Sequence, residues 1–423
     1  MVRPAAERDR TVKQFSEMIQ RLRALHRAGR FGTASPGAAP RPEEAEDRLV
    51  DLAAFGSNPG NLRARFYVPE HLPPRAPLVV VLHGCTQSAA GYEAGAGWSR
   101  LADRHGFVVL CPEQQRENNP NLCFNWFVPG DIRRGEGEAL SIRQMIEALV
   151  TRFALDRGRV FVTGLSAGGA MAGVMLATYP ELFAGGAIIA GLPYDCSRNV
   201  PQALRQMKGQ GRLGEHELQA RLRAASARDG RPYAGPWPRL SVWQGTADTI
   251  VVPANAAAII GQWRGVHGVD MLPTRLEQVD GFPHRVWCDA AGREVMEEFS
   301  ILGMGHGTPL ATQGPEGLGR AGPFLLDVGI SSTRHIAHFW GIAPAPKAAA
   351  AQAGVQPAGP PPTQPSPAAP ALAAVGASAR EEAGRSSFDA DRAGASRPSG
   401  EETRPRGVRE VIEDALRAAG LMK

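Results

Sequence analysis

Cysteine is scarce in this sequence. Only five cysteines occur among 423 residues, and none of them lies in a Cys-x-x-Cys pair or beside histidines at the spacing of a zinc site. The sequence therefore predicts no structural metal. Because five is an odd number, at least one thiol must be free or must pair with another chain.

Long apolar runs and concentrated positive charge are also missing. No segment reaches transmembrane length without a charged residue, so no membrane-spanning helix is predicted. The net charge is only +5, without a basic stripe interleaved with aromatic residues, so nucleic acid is not an expected partner. The first thirty residues lack the continuous apolar core of an export signal, which by itself favours a cytoplasmic protein.

Composition divides the chain into four segments. Residues 1–48 contain a basic amphipathic helix and a linker, and residues 49–342 contain the main domain. Residues 343–405 are rich in proline and alanine, and we expect them to be disordered because they cannot bury enough apolar surface. Residues 406–423 regain helical spacing and are predicted to form a short helix.

The main domain alternates short apolar runs with helix-like segments. Six runs read as buried strands: APLVVVLHG, FVVLCPEQ, GRVFVTG, FAGGAIIAGLP, RLSVWQGTAD and EEFSILGMGHG. Between the second and third runs, one helical face collects Ile142, Met145, Ile146, Leu149 and Val150. The repetition of strand and helix predicts an α/β fold, with a mostly parallel sheet covered by helices on both faces.

A serine lies at the sharpest predicted corner of this domain. Gly164, Ser166 and Gly168 form a Gly-x-Ser-x-Gly pattern between a strand and a helix. In that context the serine is held on a strained turn with its hydroxyl exposed at the carboxyl edge of the sheet. Serine needs a base to take its proton, and the base needs an acid to orient it. The pattern therefore predicts a serine nucleophile.

The acid and the base should follow the serine along the chain, each just beyond a strand. Asp248 follows the run RLSVWQG, and His306 follows the run EEFSILG, where Gly305 and Gly307 leave room around the imidazole. Competing candidates do not follow strong apolar strands beside glycine: Asp270, Asp280 and Asp289 for the acid, and His284 for the base.

A negatively charged reaction intermediate needs two backbone N–H donors. We expect one from Ala167, the residue after the serine, and the other from Cys85, in the loop that follows the first buried strand. His83 in the same loop is interpreted as structural support.

The ordered motifs of this chain resemble those of polyhydroxybutyrate depolymerase-type esterases, a family related to feruloyl and acetylxylan esterases. The motifs are LHGCTQSAAGYE, CPEQQRENNPNLCFNWF, RGEGEALSIRQMI, VFVTGLSAGGAMAGVML, AGLPYDC, WQGTADTIVVPANA and GMGHGTP. Over residues 50–342 the resemblance implies an α/β-hydrolase fold, the triad Ser166, Asp248 and His306, and the Cys85 amide as an oxyanion donor. It also implies a disulfide between Cys85 and Cys123 and an extracellular location. Cys196 with Cys288 is a weaker pairing.

The resulting hypothesis is a serine carboxylester hydrolase that needs no cofactor and acts on poly- or oligo-(3-hydroxyalkanoate) esters. Trp126, in an aromatic loop, is the candidate substrate-binding residue, with packing beneath the loop as the equal alternative. Feruloyl or acetyl groups of plant polysaccharide, or small soluble esters, are alternative substrates. A non-catalytic protein of polyester granules, bound through the N-terminal helix and C-terminal tail, is the alternative of another class.

Overall fold

The computed structural model describes residues 47–227 and 230–346. The predicted N-terminal helix, the proline-rich linker and the C-terminal helix lie outside the described residues. Within the described part, the first strand begins at Val50 and the last helix ends at Phe339. No helix there combines the length and apolar character needed to cross a membrane.

Strands and helices alternate along most of the described chain. The strands are β1 (Val50–Asp51), β2 (Arg63–Tyr67), β3 (Leu78–Leu82), β4 (Val108–Glu113), β5 (Val160–Leu165), β6 (Gly185–Ile189), β7 (Arg239–Gly245), β8 (Arg275–Val279), β9 (Phe282–Cys288), β10 (Glu294–Ile301), β11 (Thr308–Leu310) and β12 (Leu325–Asp327). The α-helices are α1 (Ala89–Ala96), α2 (Trp98–His105), α3 (Gly137–Arg152), α4 (Ala167–Thr178), α5 (Val200–Met207), α6 (Glu215–Ala225), α7 (Ala254–His267) and α8 (Ser332–Phe339).

Ten strands form one sheet in the order β1-β2-β4-β3-β5-β6-β7-β10-β9-β8, and β11 pairs with β12 separately. The six central strands, from β4 to β10, run parallel. The strands at both ends pair antiparallel. All six predicted strands are confirmed, and they are the six parallel ones. Their carboxyl ends therefore meet at one edge of the sheet.

Side chains from the central strands enter two hydrophobic layers. In β3 every residue is buried, and Leu78 and Val80 face one layer while Val79 faces the other. A strand reads as continuously apolar when both of its faces are covered. The predicted face of α3, from Ile142 to Val150, lies entirely in the first layer, which confirms the helical periodicity.

Candidate active site

Ser166 lies between the last residue of β5 and the first residue of α4. Its backbone has φ 58° and ψ −115°, a conformation that non-glycine residues rarely adopt and that costs free energy. Two backbone hydrogen bonds hold it there: its N–H donates to Ile189 O at 2.9 Å, and its carbonyl accepts from the Ala170 N–H at 2.9 Å. The side chain is partly exposed at the carboxyl edge of the sheet.

The flanking glycines are required by close backbone contacts. A Cβ atom on Gly164 would lie 2.4 Å from the carbonyl of Gly168, and a Cβ on Gly168 would lie 2.2 Å from the carbonyl oxygen of Leu82. Both distances are far below van der Waals contact. Any larger residue would therefore push the serine turn away from β3, which explains the glycine spacing in the sequence.

Asp248 and His306 form a hydrogen-bonded pair on the loops after β7 and β10. His306 Nδ1 lies 2.7 Å from Asp248 Oδ2, and the Asp248 side chain is fully buried. Its Oδ1 accepts backbone N–H bonds from Ile250 at 2.8 Å and Val251 at 2.9 Å. Gln244 Nε2 donates to Oδ2 at 3.1 Å. These donors compensate the burial of the carboxylate and fix its orientation.

The two loops are tied directly to each other. The N–H groups of Thr246 and Ala247 donate to the carbonyls of Ile301 and Met304, each at 3.0 Å. A Cβ on Gly245 would lie 2.3 Å from Met304 O, so glycine at the end of β7 is needed for this approach. The aspartate and the histidine are therefore held together by the backbone as well as by their side chains.

The geometry leaves one imidazole nitrogen for the serine. With Nδ1 bonded to Asp248, only Nε2 of His306 is available to accept a proton. Within residues 47–227 and 230–346 the structure contains no hydrogen bond between the Ser166 hydroxyl and His306. Catalytic hydrogen bonds of free enzymes are often long and shorten when substrate binds. Ser166, Asp248 and His306 nevertheless all follow parallel strands at the same sheet edge.

Two backbone N–H groups are available next to the serine. Ala167 is the first residue of α4, so its N–H has no acceptor inside the helix. The N–H of Cys85, in the loop after β3, donates to no acceptor among the described residues. The neighbouring Thr86 N–H donates to Asn121 O at 2.6 Å. A disulfide joins Cys85 to Cys123, so the 119–123 segment holds the Cys85 loop at two points.

His83 supports the same loop from below. Its Nε2 accepts the backbone N–H of Gln114 at 3.1 Å, which leaves Nδ1–H to donate to Gly84 O at 2.8 Å. Burial lowers the pKa of the His83 imidazole, so the ring stays neutral with both nitrogens occupied. It therefore supports the loop and has no free nitrogen with which to carry a proton.

Two predictions are corrected by the structure. Trp126 is 3% exposed and packs edge-on against Phe127 at 5.3 Å between ring centroids. It belongs to a buried cluster that includes Ala167 and Leu192. The prediction that Trp126 binds substrate required an exposed side chain, whereas the structure shows the alternative, packing beneath the loop. Cys196 and Cys288 do not pair, since both are free thiols.

The competing acids and base lie in other contacts. Asp280 bonds His335 Nε2 at 2.9 Å, and Asp289 bonds Arg293. Asp270 is exposed. His284 on β9 has its Nε2 2.9 Å from the carboxylate of Glu297 on β10 and its Nδ1 3.0 Å from that of Glu277 on β8.

The His284 cluster predicts a pH-dependent contribution to stability. Burial lowers the pKa of His284, but the hydrogen bonds and charges of Glu297 and Glu277 outweigh burial and raise it overall. His335 on α8, itself bonded to Asp280, is a further titratable group that interacts with His284. Because the folded-state pKa exceeds the unfolded value of about 6.5, the stabilisation is complete below that pH and is lost as the pH rises through the folded-state pKa.

For His284→Gln we therefore expect a larger loss of Tm at about pH 5.5 than at about pH 8.5, by about 2 °C or more. Thermal unfolding followed by circular dichroism at both pH values measures the difference. Catalytic activity should be retained, because His284 lies outside the Asp248–His306 pair. An equal loss of Tm at both pH values would contradict the assigned charge pairing.

Gln244 was not predicted from the sequence. It is the penultimate residue of β7, it is buried, and its Nε2 bonds Asp248 Oδ2, Gly245 O and Val251 O. A glutamine near the end of a mostly apolar buried run is the signal that could have identified it, because a buried amide needs polar partners.

Comparison with known proteins supplies independent information. The family model described as esterase PHB depolymerase matches residues 63–275. Poly(3-hydroxyalkanoate) depolymerase C of Paucimonas lemoignei is 46% identical over 295 residues, covering 70% of this chain and 70% of that protein. An acetylxylan esterase of Coprinopsis cinerea is 33% identical and covers 64% of this chain and 72% of its own length. The solved structure of an acetyl xylan esterase from Aspergillus awamori matches with a TM-score of 0.58 at 25% identity, over 70% of this chain and 99% of that one. Together these likenesses confirm the α/β-hydrolase fold.

Proposed function

Since this chain belongs to the PHB depolymerase family of esterases and is a serine carboxylester hydrolase, we propose that Ser166, His306 and Asp248 are its catalytic triad. The observation that carries this proposal is the Asp248–His306 hydrogen bond at 2.7 Å. That pair shares one edge of the sheet with a serine held on a strained strand-to-helix turn.

In the acylation step, Ser166 Oγ attacks the ester carbonyl while His306 Nε2 takes the hydroxyl proton. Asp248 keeps the imidazole in the tautomer that leaves Nε2 free, and it stabilises the imidazolium that forms. The N–H groups of Cys85 and Ala167 donate to the oxyanion. The carbon–oxygen bond of the ester then breaks, and the proton passes from His306 to the departing alkoxide, which leaves as an alcohol.

In the deacylation step, water replaces the alcohol. His306 takes a proton from the water as its oxygen attacks the acyl carbon, and the same two N–H groups hold the second oxyanion. The bond to Ser166 Oγ then breaks, the serine recovers its proton from His306, and the carboxylic acid is released. Every proton in this cycle moves through Nε2, which is why the orientation of the ring by Asp248 matters.

The substrate class that we propose is poly- or oligo-(3-hydroxyalkanoate). The 46% identity with a poly(3-hydroxyalkanoate) depolymerase exceeds the 33% identity with an acetylxylan esterase. The structural match to an acetyl xylan esterase over nearly its whole length supports acetylated polysaccharide as the second candidate. The disulfide near the site favours an oxidising compartment, because cytosolic reductants keep such cysteine pairs reduced. We therefore also propose an extracellular location.

The substrate is tested by product analysis on purified protein. We expect 3-hydroxybutyrate oligomers and a polyhydroxybutyrate suspension to release soluble hydroxyacids faster than acetylated xylan releases acetate or a feruloyl ester releases ferulate. Faster release of acetate or ferulate would replace the polyester with the polysaccharide substrate. Binding to polyester granules without turnover of any ester would favour the non-catalytic alternative.

A further inference from the structure

Phe324 adopts a backbone conformation that a bulky residue normally avoids. Its φ is 62°, in the left-handed region that favours glycine and in which an aromatic residue is an outlier. The residue lies in the turn between Gly322 and Leu325 that leads into β12. Glycine would adopt this conformation without strain. Strained backbone conformations tend to occur at functional sites.

The Phe324 side chain packs against the second hydrophobic layer, but it is not fully buried. Its carbonyl accepts the Thr308 N–H at 2.9 Å. A Cβ on Gly307 would lie 2.8 Å from the same carbonyl oxygen. The turn is therefore fastened to the chain immediately after His306.

The Phe324 ring contacts the imidazole of the proposed base. The ring centroids of His306 and Phe324 lie 5.9 Å apart, with the planes inclined at 76°, which is an edge-to-face contact. The residues on either side of His306 in the sequence are glycines and have no side chains to contact the imidazole. Phe324, from the neighbouring turn, contacts it with a large side chain.

The same turn also reaches the loop that carries Cys85. Gln87 Nε2 donates to Pro323 O at 3.5 Å, and Gln87 Oε1 accepts the Gly84 N–H at 2.8 Å. The Phe324 turn is thus connected to the oxyanion loop on one side and to His306 on the other. A partly exposed aromatic ring therefore lies on the turn that connects these two parts of the site.

We propose that Phe324 is a specificity-determining residue that contacts the leaving alcohol of the ester. The inference rests on the proposed function. His306 delivers its proton to the leaving oxygen, so the atoms beyond that oxygen must lie beside the imidazole, which the Phe324 ring contacts. In a polyester those atoms are the methylene, methine and methyl groups of the next hydroxyacyl unit, which an aromatic edge contacts favourably.

Two ester series separate this role from simple support of the histidine. In the first, 3-hydroxybutyrate is esterified with methanol, with benzyl alcohol or with a second 3-hydroxybutyrate unit. In the second, 4-nitrophenol is kept constant and the acyl group varies. For Phe324→Ala we expect kcat/KM for the two larger alcohols to fall about tenfold or more relative to the methyl ester. Acyl-chain preference and the deacylation rate should stay unchanged, because deacylation begins after the alcohol has left.

Phe324→Tyr serves as the conservative variant and should restore the wild-type ratio between large and small alcohols. Phe55→Ala, which removes another partly buried phenylalanine from a distant loop, should leave that ratio unchanged. An equal fall for every ester, together with slower deacylation, would show that Phe324 only positions His306, and no change in the ratio would show that it does not contact the alcohol. Failure of the triad proposal is distinguishable, because the ratio is measured on active enzyme, whereas the triad proposal fails only if activity survives without Ser166.

Discussion

Replacing Ser166 with alanine is expected to lower kcat for a chromogenic short-chain ester by on the order of 10⁶. The Ser166 hydroxyl is the proposed nucleophile, held on a strained turn at the sheet edge that also carries the Asp248–His306 pair, and no acyl-enzyme forms without it. The N–H groups of Cys85 and Ala167 remain, so a residual rate above the uncatalysed reaction should persist. Steady-state hydrolysis of 4-nitrophenyl butyrate by highly purified protein measures the loss.

Ser57→Ala is the matched control for this experiment. Ser57 is an exposed serine whose hydroxyl accepts a hydrogen bond from Gln144 Nε2 at 3.0 Å. It lies in the loop between β1 and β2 and not after one of the parallel strands that carry the site. Its removal should leave kcat unchanged, and both variants should retain the Tm of the wild type within a few degrees. A Ser166→Ala protein that hydrolyses the ester at the wild-type rate would end the proposed mechanism.

Asp248→Asn is expected to lower kcat by about 10⁴ near neutral pH. Four N–H groups point at the two oxygens of Asp248: those of Ile250 and Val251 at Oδ1, and those of Gln244 and His306 at Oδ2. An asparagine has one acceptor oxygen, and we expect it to accept the hydrogen bonds of the two backbone N–H groups. Its NH₂ group then faces His306 Nδ1 and forces the tautomer in which Nε2 carries a proton and cannot accept another.

Asp280→Asn provides the matched control for Asp248→Asn, because Asp280 also bonds a partly buried histidine, His335, at 2.9 Å but lies outside the site. It should change kcat by less than about twofold, in keeping with a substitution away from the reacting groups. The pH–rate profile of both variants and of the wild type tests the account. If Asp280→Asn lost as much activity as Asp248→Asn, the assignment of the acid would be wrong.

The positions of the candidate site residues were predictable because each follows a strand that is buried on both faces. Such strands read as uninterrupted apolar runs, and in a parallel sheet their carboxyl ends meet at one edge. The glycines around Ser166 added a second signal, because only glycine permits the contacts with the carbonyls of Leu82 and Gly168. Periodicity also predicted the buried face of α3.

The antiparallel end of the sheet was not predictable from local pattern. Strand β8 is exposed at almost every position, so its residues show no alternation of apolar and polar character. It forms because β9 offers a backbone partner, which is information from tertiary structure. Similarly, the aromatic run around Trp126 reads as an exposed loop, but packing against Ala167 and Leu192 buries the indole. The left-handed backbone conformation at Phe324 was also unpredictable, because the usual signal for it, a glycine, is missing at that position.

The proposed mechanism depends on activation of Ser166 by His306. Treating the protein with a fluorophosphonate and mapping the adduct by peptide mass spectrometry tests it most directly, because this reagent phosphonylates serine hydroxyls whose proton is withdrawn by a neighbouring base, with loss of fluoride. We predict a single adduct on Ser166 in the wild type and labelling reduced to background in His306→Ala. An adduct on another residue, or a labelling rate that His306→Ala leaves unchanged, would contradict the account.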